Sequence, residues 1–189
     1  GDIPALAMDG LPEGLAVVVH QTTPNELTWT EWERFLNFAT HKDIGDVAAL
    51  HEARGLPQDQ VREDYTRYAK SLIAVGNGAG SDARFGMRAE LVALANPYTD
   101  DLGAGLQMEL RYDGALQPDH QVELFAEDAD GNVEIPLHRT DANGLVTLPV
   151  DAGMVYMADA VFLEEVQPSA EGGAIWFTHW ANMTFAIPD

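Results

Sequence analysis

From Met87 onward turn chemistry interrupts the sequence about every 8–12 residues, and that cadence leaves few folds open. The pairs Asp113-Gly114, Asp130-Gly131 and Asn143-Gly144 tolerate the positive φ angles of tight hairpins. Between the turns lie apolar-rich runs at Ala89–Ala95, Leu106–Tyr112, Gln121–Ala126, Val133–Arg139, Gly144–Pro149, Met154–Phe162 and Ile175–Ile187. They predict antiparallel strands in two packed sheets, an immunoglobulin-like sandwich with Phe125, Leu137, Leu148 and Val161 in its core.

The first half mixes element types. Leu15–His20 is a β-branched run that predicts a buried strand. Thr28 and Glu31 have capping-box spacing, and Leu27 with Trp32 that of a hydrophobic staple, so a helix is predicted from Thr28. Trp29, Trp32, Leu36 and Ala39 give it an apolar face, which predicts burial of the aromatic stripe. A second helix after Asp43 turns Val47 and Leu50 inward and ends at Gly55 and Pro57. Gln58–Tyr65 reads as weakly helical and Tyr68–Val75 as a strand, ending at the glycine-rich segment 76–82, a boundary or mobile loop. The expected class is therefore mainly β (α+β): an amino-terminal strand and helical segment over 1–82, then a sandwich over 83–189.

Composition narrows the functions. With 46% apolar residues among 189, the chain can bury a core. Its 31 acidic residues against 10 Lys and Arg give a net charge of -21. Nucleic acid needs a basic stripe to displace its counterions, and anionic lipid would be repelled. No apolar run approaches the roughly 20 residues of a membrane span, so direct membrane insertion is not expected. Such a field concentrates cations or keeps the surface solvated. Cysteine is absent, which removes disulfides and thiolate metal sites. The opening Gly1-Asp2-Ile3-Pro4 suits a processed chain, so a removed signal peptide is expected.

Catalytic motifs do not survive inspection. Gly76-Asn77-Gly78-Ala79-Gly80 lacks the glycine spacing and following helix of a nucleotide loop. Asp128-Ala129-Asp130-Gly131-Asn132 lacks the remaining ligands of a calcium loop and fits a hairpin turn. Ser71, Ser81 and Ser169 stand outside any nucleophile elbow. The six histidines include no i, i+4 pair, so a metal site would have to be assembled in space. His41 and His51 bracket the second helix beside Asp43, Asp46 and Glu52, and His179 lies on the last strand. Those three are the candidate metal ligands, suited with carboxylates to Ni2+ or Co2+. Strand alternation places Trp176, Thr178 and Trp180 on one face, Phe177 and His179 on the other.

Several segments together resemble a known family. They are Gly14–Thr23, Trp32–His41, Tyr65–Lys70, Leu94–Tyr98 and His138–Gly144. In that order they are similar to a secreted bacterial family assigned as the periplasmic component of ABC-type cobalt/nickel transport. The likeness runs from about Leu11 to Pro188. It implies a periplasmic protein with an immunoglobulin-like carboxyl-terminal domain, tied to divalent metal uptake. Members also have a histidine near the mature amino terminus and more β structure ahead of the helices, which this sequence does not show. The leading expectation is a non-enzymatic protein that presents a divalent cation, nickel or cobalt, to a membrane transport component. The alternatives are an immunoglobulin-like module that grips protein or glycan without metal, and a hydrolase.

Overall fold

Period-two alternation sorts the residues of every strand onto two faces. A computed structural model, describing residues 7–8, 10–168 and 172–189, shows what covers each face. The chain runs through β1 (Gly14–Gln21), β2 (Asn25–Trp29), α1 (Trp32–His41), α2 (Val47–Ala53), β3 (Val61–Val75), β4 (Ala89–Ala93), β5 (Leu106–Tyr112) and β6 (Ala115–Leu116). It continues through β7 (Gln121–Glu127), β8 (Val133–Glu134), β9 (Leu137–Arg139), β10 (Leu145–Leu148), β11 (Val155–Glu165) and β12 (Trp176–Ala186).

The expected mainly β fold with two packed sheets and a helical segment is what forms, but the amino-terminal strands belong to the larger sheet rather than preceding it. The larger sheet has the order β1-β3-β12-β11-β7-β8, with β2 also on β3 and β9 also on β7. The smaller has the order β10-β5-β4, with β6 on β5. Within 87–187 every described pairing is antiparallel. Leu91, Met108, Leu110 and Leu148 of the smaller sheet meet Leu124, Ala158, Met183 and Phe185 of the larger in one core. Leu148 lies in that core as expected, Val161 is buried but turns to the opposite face of β11 with Asp159, Phe125 is half-buried, and Leu137 is 54% exposed. Leu137 escapes because β9 pairs only with β7, at the rim of the sheet.

The parallel pairing of β3 with β12, Glu63 opposite Trp176 through Ser71 opposite Thr184, joins the two halves of the sequence. Tyr68 and Leu72 of β3 belong to the sandwich core, so the larger sheet is built from both sides of residue 82. Gln58–Tyr65, which reads as weakly helical, is largely strand, because β2 and β12 offer ladders on both sides of β3. The same ladder removes the expected helix start. Thr28 is a strand residue opposite Arg62, and Glu31, which precedes α1, makes no side-chain cap bond. Leu15–His20 also departs from expectation: β1 lies at the sheet edge, half-buried and exposed by Val19. The segment 76–82 is pinned, with Leu15 N–H donating to Ala79 O at 2.9 Å and Asn96 Nδ2 donating to the carbonyls of Gly78 and Gly80.

The helices lie over the outer face of the larger sheet, where Phe35, Ala39, Val47, Val61 and Trp176 form a second core. Phe35 and Ala39 face inward, while Trp29, Trp32 and Leu36 are only half-buried. In α2 the inward residues are Val47 and His51, and Leu50 is 39% exposed. Phe35 is fully buried, 5.7 Å from the rings of both Trp29 and Trp32 and 6.2 Å from Trp176. Phe35→Ala should therefore lower stability by about 3–5 kcal/mol, and Leu36→Ala by less. Urea unfolding followed by circular dichroism measures both. Equal losses would place the inward face of α1 elsewhere.

Candidate functional site

Alternation brings polar groups to the helix-covered face. Glu63, Tyr65 and Arg67 come from β3, and Thr178, Trp180 and Asn182 from β12. Asp159 comes from β11 and Glu123 from β7. Strand β2 and helix α1 leave a groove of about 260 Å³ over this surface, lined by Trp29, Phe38, Glu63, Tyr65, Arg67 and Trp180. Its rings stand in series: Trp29 stacks on Phe38 at 5.2 Å, and Phe38 on Trp180 at 5.8 Å. The Arg67 guanidinium lies 5.2 Å from the Trp180 ring.

Glu63 is the buried carboxyl of the groove. One oxygen accepts from Trp29 Nε1 at 2.7 Å and the other accepts from the Thr178 hydroxyl. Burial raises its pKa, and those two hydrogen bonds oppose the rise without cancelling it. Asp64 is raised too, by burial and then by Glu26.

Beyond Trp180 lies a charge cluster. Lys42 Nζ donates to Glu123 Oε2 at 2.8 Å and to Asp159 Oδ2 at 2.7 Å, and sits 4.9 Å from the Trp180 ring. Asn182 Nδ2 donates to the other Asp159 oxygen. Burial raises the Asp159 pKa even though Lys42 pulls it down. Two buried carboxylates thus share one ammonium, and His41 Nε2 stands 3.1 Å from Glu123 Oε1, close but not aligned as a hydrogen bond.

The three candidate metal ligands lie in different surroundings. His41 is mostly exposed at the end of α1, beside Glu123. His51 is fully buried: Nε2–H donates to Pro57 O at 3.0 Å, because Nδ1 accepts from Trp176 Nε1–H at 3.3 Å. Its ring also packs 4.4 Å from Trp32. His179 points to the opposite face, into the sandwich. There Nδ1 meets the Tyr68 hydroxyl at 3.3 Å, and Nε2 lies 3.0 Å from both Glu164 Oε2 and an Arg88 nitrogen. Burial lowers the His179 pKa, with the Glu164 contact opposing. The sheet separates His179 from the other two, and neither His51 nor His179 has a nitrogen left without a neighbour. Among the described residues no three histidine, aspartate or glutamate side chains converge as a metal ion requires.

Sequence reasoning passed over Glu63, Lys42, Glu123 and Asp159. The one local sign was Lys42 itself, one of only ten basic residues, placed directly after His41.

The raised Glu63 pKa has a stability consequence. Between the ordinary value of 4.5 and the folded value, the folded chain binds more protons than the unfolded one. The contribution of Glu63 is therefore fully present below 4.5 and is lost as pH rises through the folded value. Glu63→Gln should remove that fall and flatten the stability profile from pH 4.5 upward relative to the parent protein. The histidines with lowered pKa act equally in both proteins, so urea midpoints across the range isolate Glu63. Parallel profiles would mean that Glu63 titrates at its ordinary value.

No curated protein and no solved structure matches the chain. The family pattern described as "Domain of unknown function (DUF4198)" matches residues 3–164. That span contains Lys42, Glu63, Glu123 and Asp159, and stops short of the β12 residues that complete the groove. The chain therefore belongs to the DUF4198 family.

Proposed function

We propose that this protein is a non-enzymatic binding module of the bacterial periplasm whose aromatic groove takes a carbohydrate. One observation carries the reading: Trp29, Phe38 and Trp180 stand in series beside a buried carboxyl and an exposed guanidinium. A sugar ring has an apolar face that packs on such rings, and hydroxyls that pair with the exposed Glu26 and Arg67 at the groove's rim. Hydrolysis has less support, because both Glu63 oxygens already accept hydrogen bonds. The periplasmic location and an immunoglobulin-like sandwich follow from the family resemblance, and the antiparallel ladders packed face to face are in keeping with the latter. Calorimetric titration with a panel of oligosaccharides should give saturable binding. Trp180→Ala should weaken it by about tenfold or more, or about 1.4 kcal/mol, with the circular dichroism spectrum unchanged. A panel without any saturable response sinks the proposal.

A second reading rests on the contact of His41 with Glu123 beside Asp159. The resemblance implies Ni2+ or Co2+ as cargo handed to a membrane transport component, and these three residues have suitable donor chemistry, although with Lys42 between them they do not converge as a ligand set. Lys42 now fills the cation position between the two carboxylates. Its ammonium would have to leave for a divalent ion to enter, so Lys42→Ala should tighten nickel or cobalt binding and His41→Ala should abolish it. Proton competition should weaken that binding as pH falls through about 6.5, the reference histidine value. Heat that disappears with added salt, equally in all three proteins, would instead reflect cations gathered by the acidic surface.

A further inference from the structure

Basic side chains are scarce in a chain of net charge -21, where 31 acidic residues face only 10 Lys and Arg, so several arginines on one cavity stand out. Three of those ten, Arg84, Arg88 and Arg111, line one cavity of about 390 Å³ where β4 meets the β5–β6 hairpin. The carboxylates that share the lining are already engaged. Glu90 meets Lys70 at 2.9 Å and accepts from the N–H groups of Phe85 and Gly86 at 2.7 and 3.0 Å. Asp113 accepts from Arg88 Nε at 2.9 Å, and Arg88 also donates to Glu164 at 2.8 Å. Arg111 is fixed by Glu109 at 2.7 Å and by the Gly114 carbonyl at 2.9 Å, which leaves its second terminal nitrogen without a bond among the described residues.

Arg84 is different. Among the described residues it pairs with no carboxylate and donates no side-chain hydrogen bond. Its Nη2 lies over Gly114, where an added Cβ would sit 3.9 Å away, and Gly114 has φ +79°. Two guanidiniums thus converge on one glycine of a tight turn. One is held in place and the other is uncompensated, and like charges so placed repel unless an anion joins them.

We propose that this cavity binds a small ligand through an oxyanion, a carboxylate or a phosphate, gripped by Arg84 and Arg111 with Arg88 behind them. Guanidinium forks match both groups with paired, charge-assisted hydrogen bonds. The summed field of the protein repels anions, so saturable anion binding has to come from a local cationic site. The site is separate from the aromatic groove, and Trp180→Ala should leave it intact.

Calorimetric titrations with inorganic phosphate, sulfate and succinate at low ionic strength test the proposal. At least one probe should bind saturably, and the pattern among the three distinguishes phosphate from carboxylate recognition. Arg84→Ala, on an exposed loop, should weaken that binding by about tenfold or more, and Arg84→Lys by less. Asp113→Asn removes the carboxylate that competes for Arg88 and should tighten binding. Asparagine tolerates the positive φ of 49° found at that position. Absence of saturable heat with all three probes, or unchanged affinity in Arg84→Ala, overturns the proposal.

Discussion

Lys70 carries its ammonium into the interior, where Asp82 meets it at 3.1 Å, Glu90 at 2.9 Å and the Ala83 carbonyl at 2.7 Å. All three side chains are essentially inaccessible to water. A buried ammonium without partners is costly, and so is a pair of buried carboxylates, so the three are stable only together. The consequence is geometric. Lys70 lies on the sandwich side of β3, and a slip of one residue would drive it out and turn every β3 side chain to the wrong face. The positions of Glu63, Tyr65 and Arg67 under the helices therefore depend on a charge cluster on the other side of the sheet. The same cluster ties down the chain leading into β4, and with it Arg84 and Arg88.

Much of the sandwich was legible because its signals are local. Asp113-Gly114, Asp130-Gly131 and Asn143-Gly144 mark turns by backbone chemistry alone, and period-two runs between them report burial on one face. Trp176, Thr178 and Trp180 fall on one side of β12 and His179 on the other, as alternation requires. The misreadings occur where a distant partner outweighed a local preference. Thr28 and Glu31 have the spacing of a helix cap, yet β3 supplies a ladder for Asn25–Trp29 and the backbone takes it. Leu137 has the composition of a core residue and lies at a rim, because a strand's distance from the sheet centre is not written in its own residues.

The site was less legible for a related reason. Glu63 finds Thr178 across 115 residues of sequence, and Lys42 finds Asp159 across 117. Among 31 acidic residues nothing local sets those carboxylates apart. The aromatic stripe was visible but read as wholly core. Phe35, absent from the stripe, took the core position, and Trp29 and Phe38 kept part of their faces for the groove. Histidine is the opposite case, since the residue type suggests ligation while His51 and His179 are engaged in packing and hydrogen bonding.

The parallel contact between β3 and β12 also sets an order of events during synthesis. Strand β12 is the last strand described, and it is the one that fills the gap between β3 and β11. While the ribosome still covers it, the nascent chain has two open edges facing an empty slot, and closing that slot requires a contact of very long sequence separation. Such edges are templates for pairing with the wrong chain. A polypeptide cut short before Trp176 would keep both edges, so its fate would be governed by chaperones and proteases rather than by the stability of the finished sandwich.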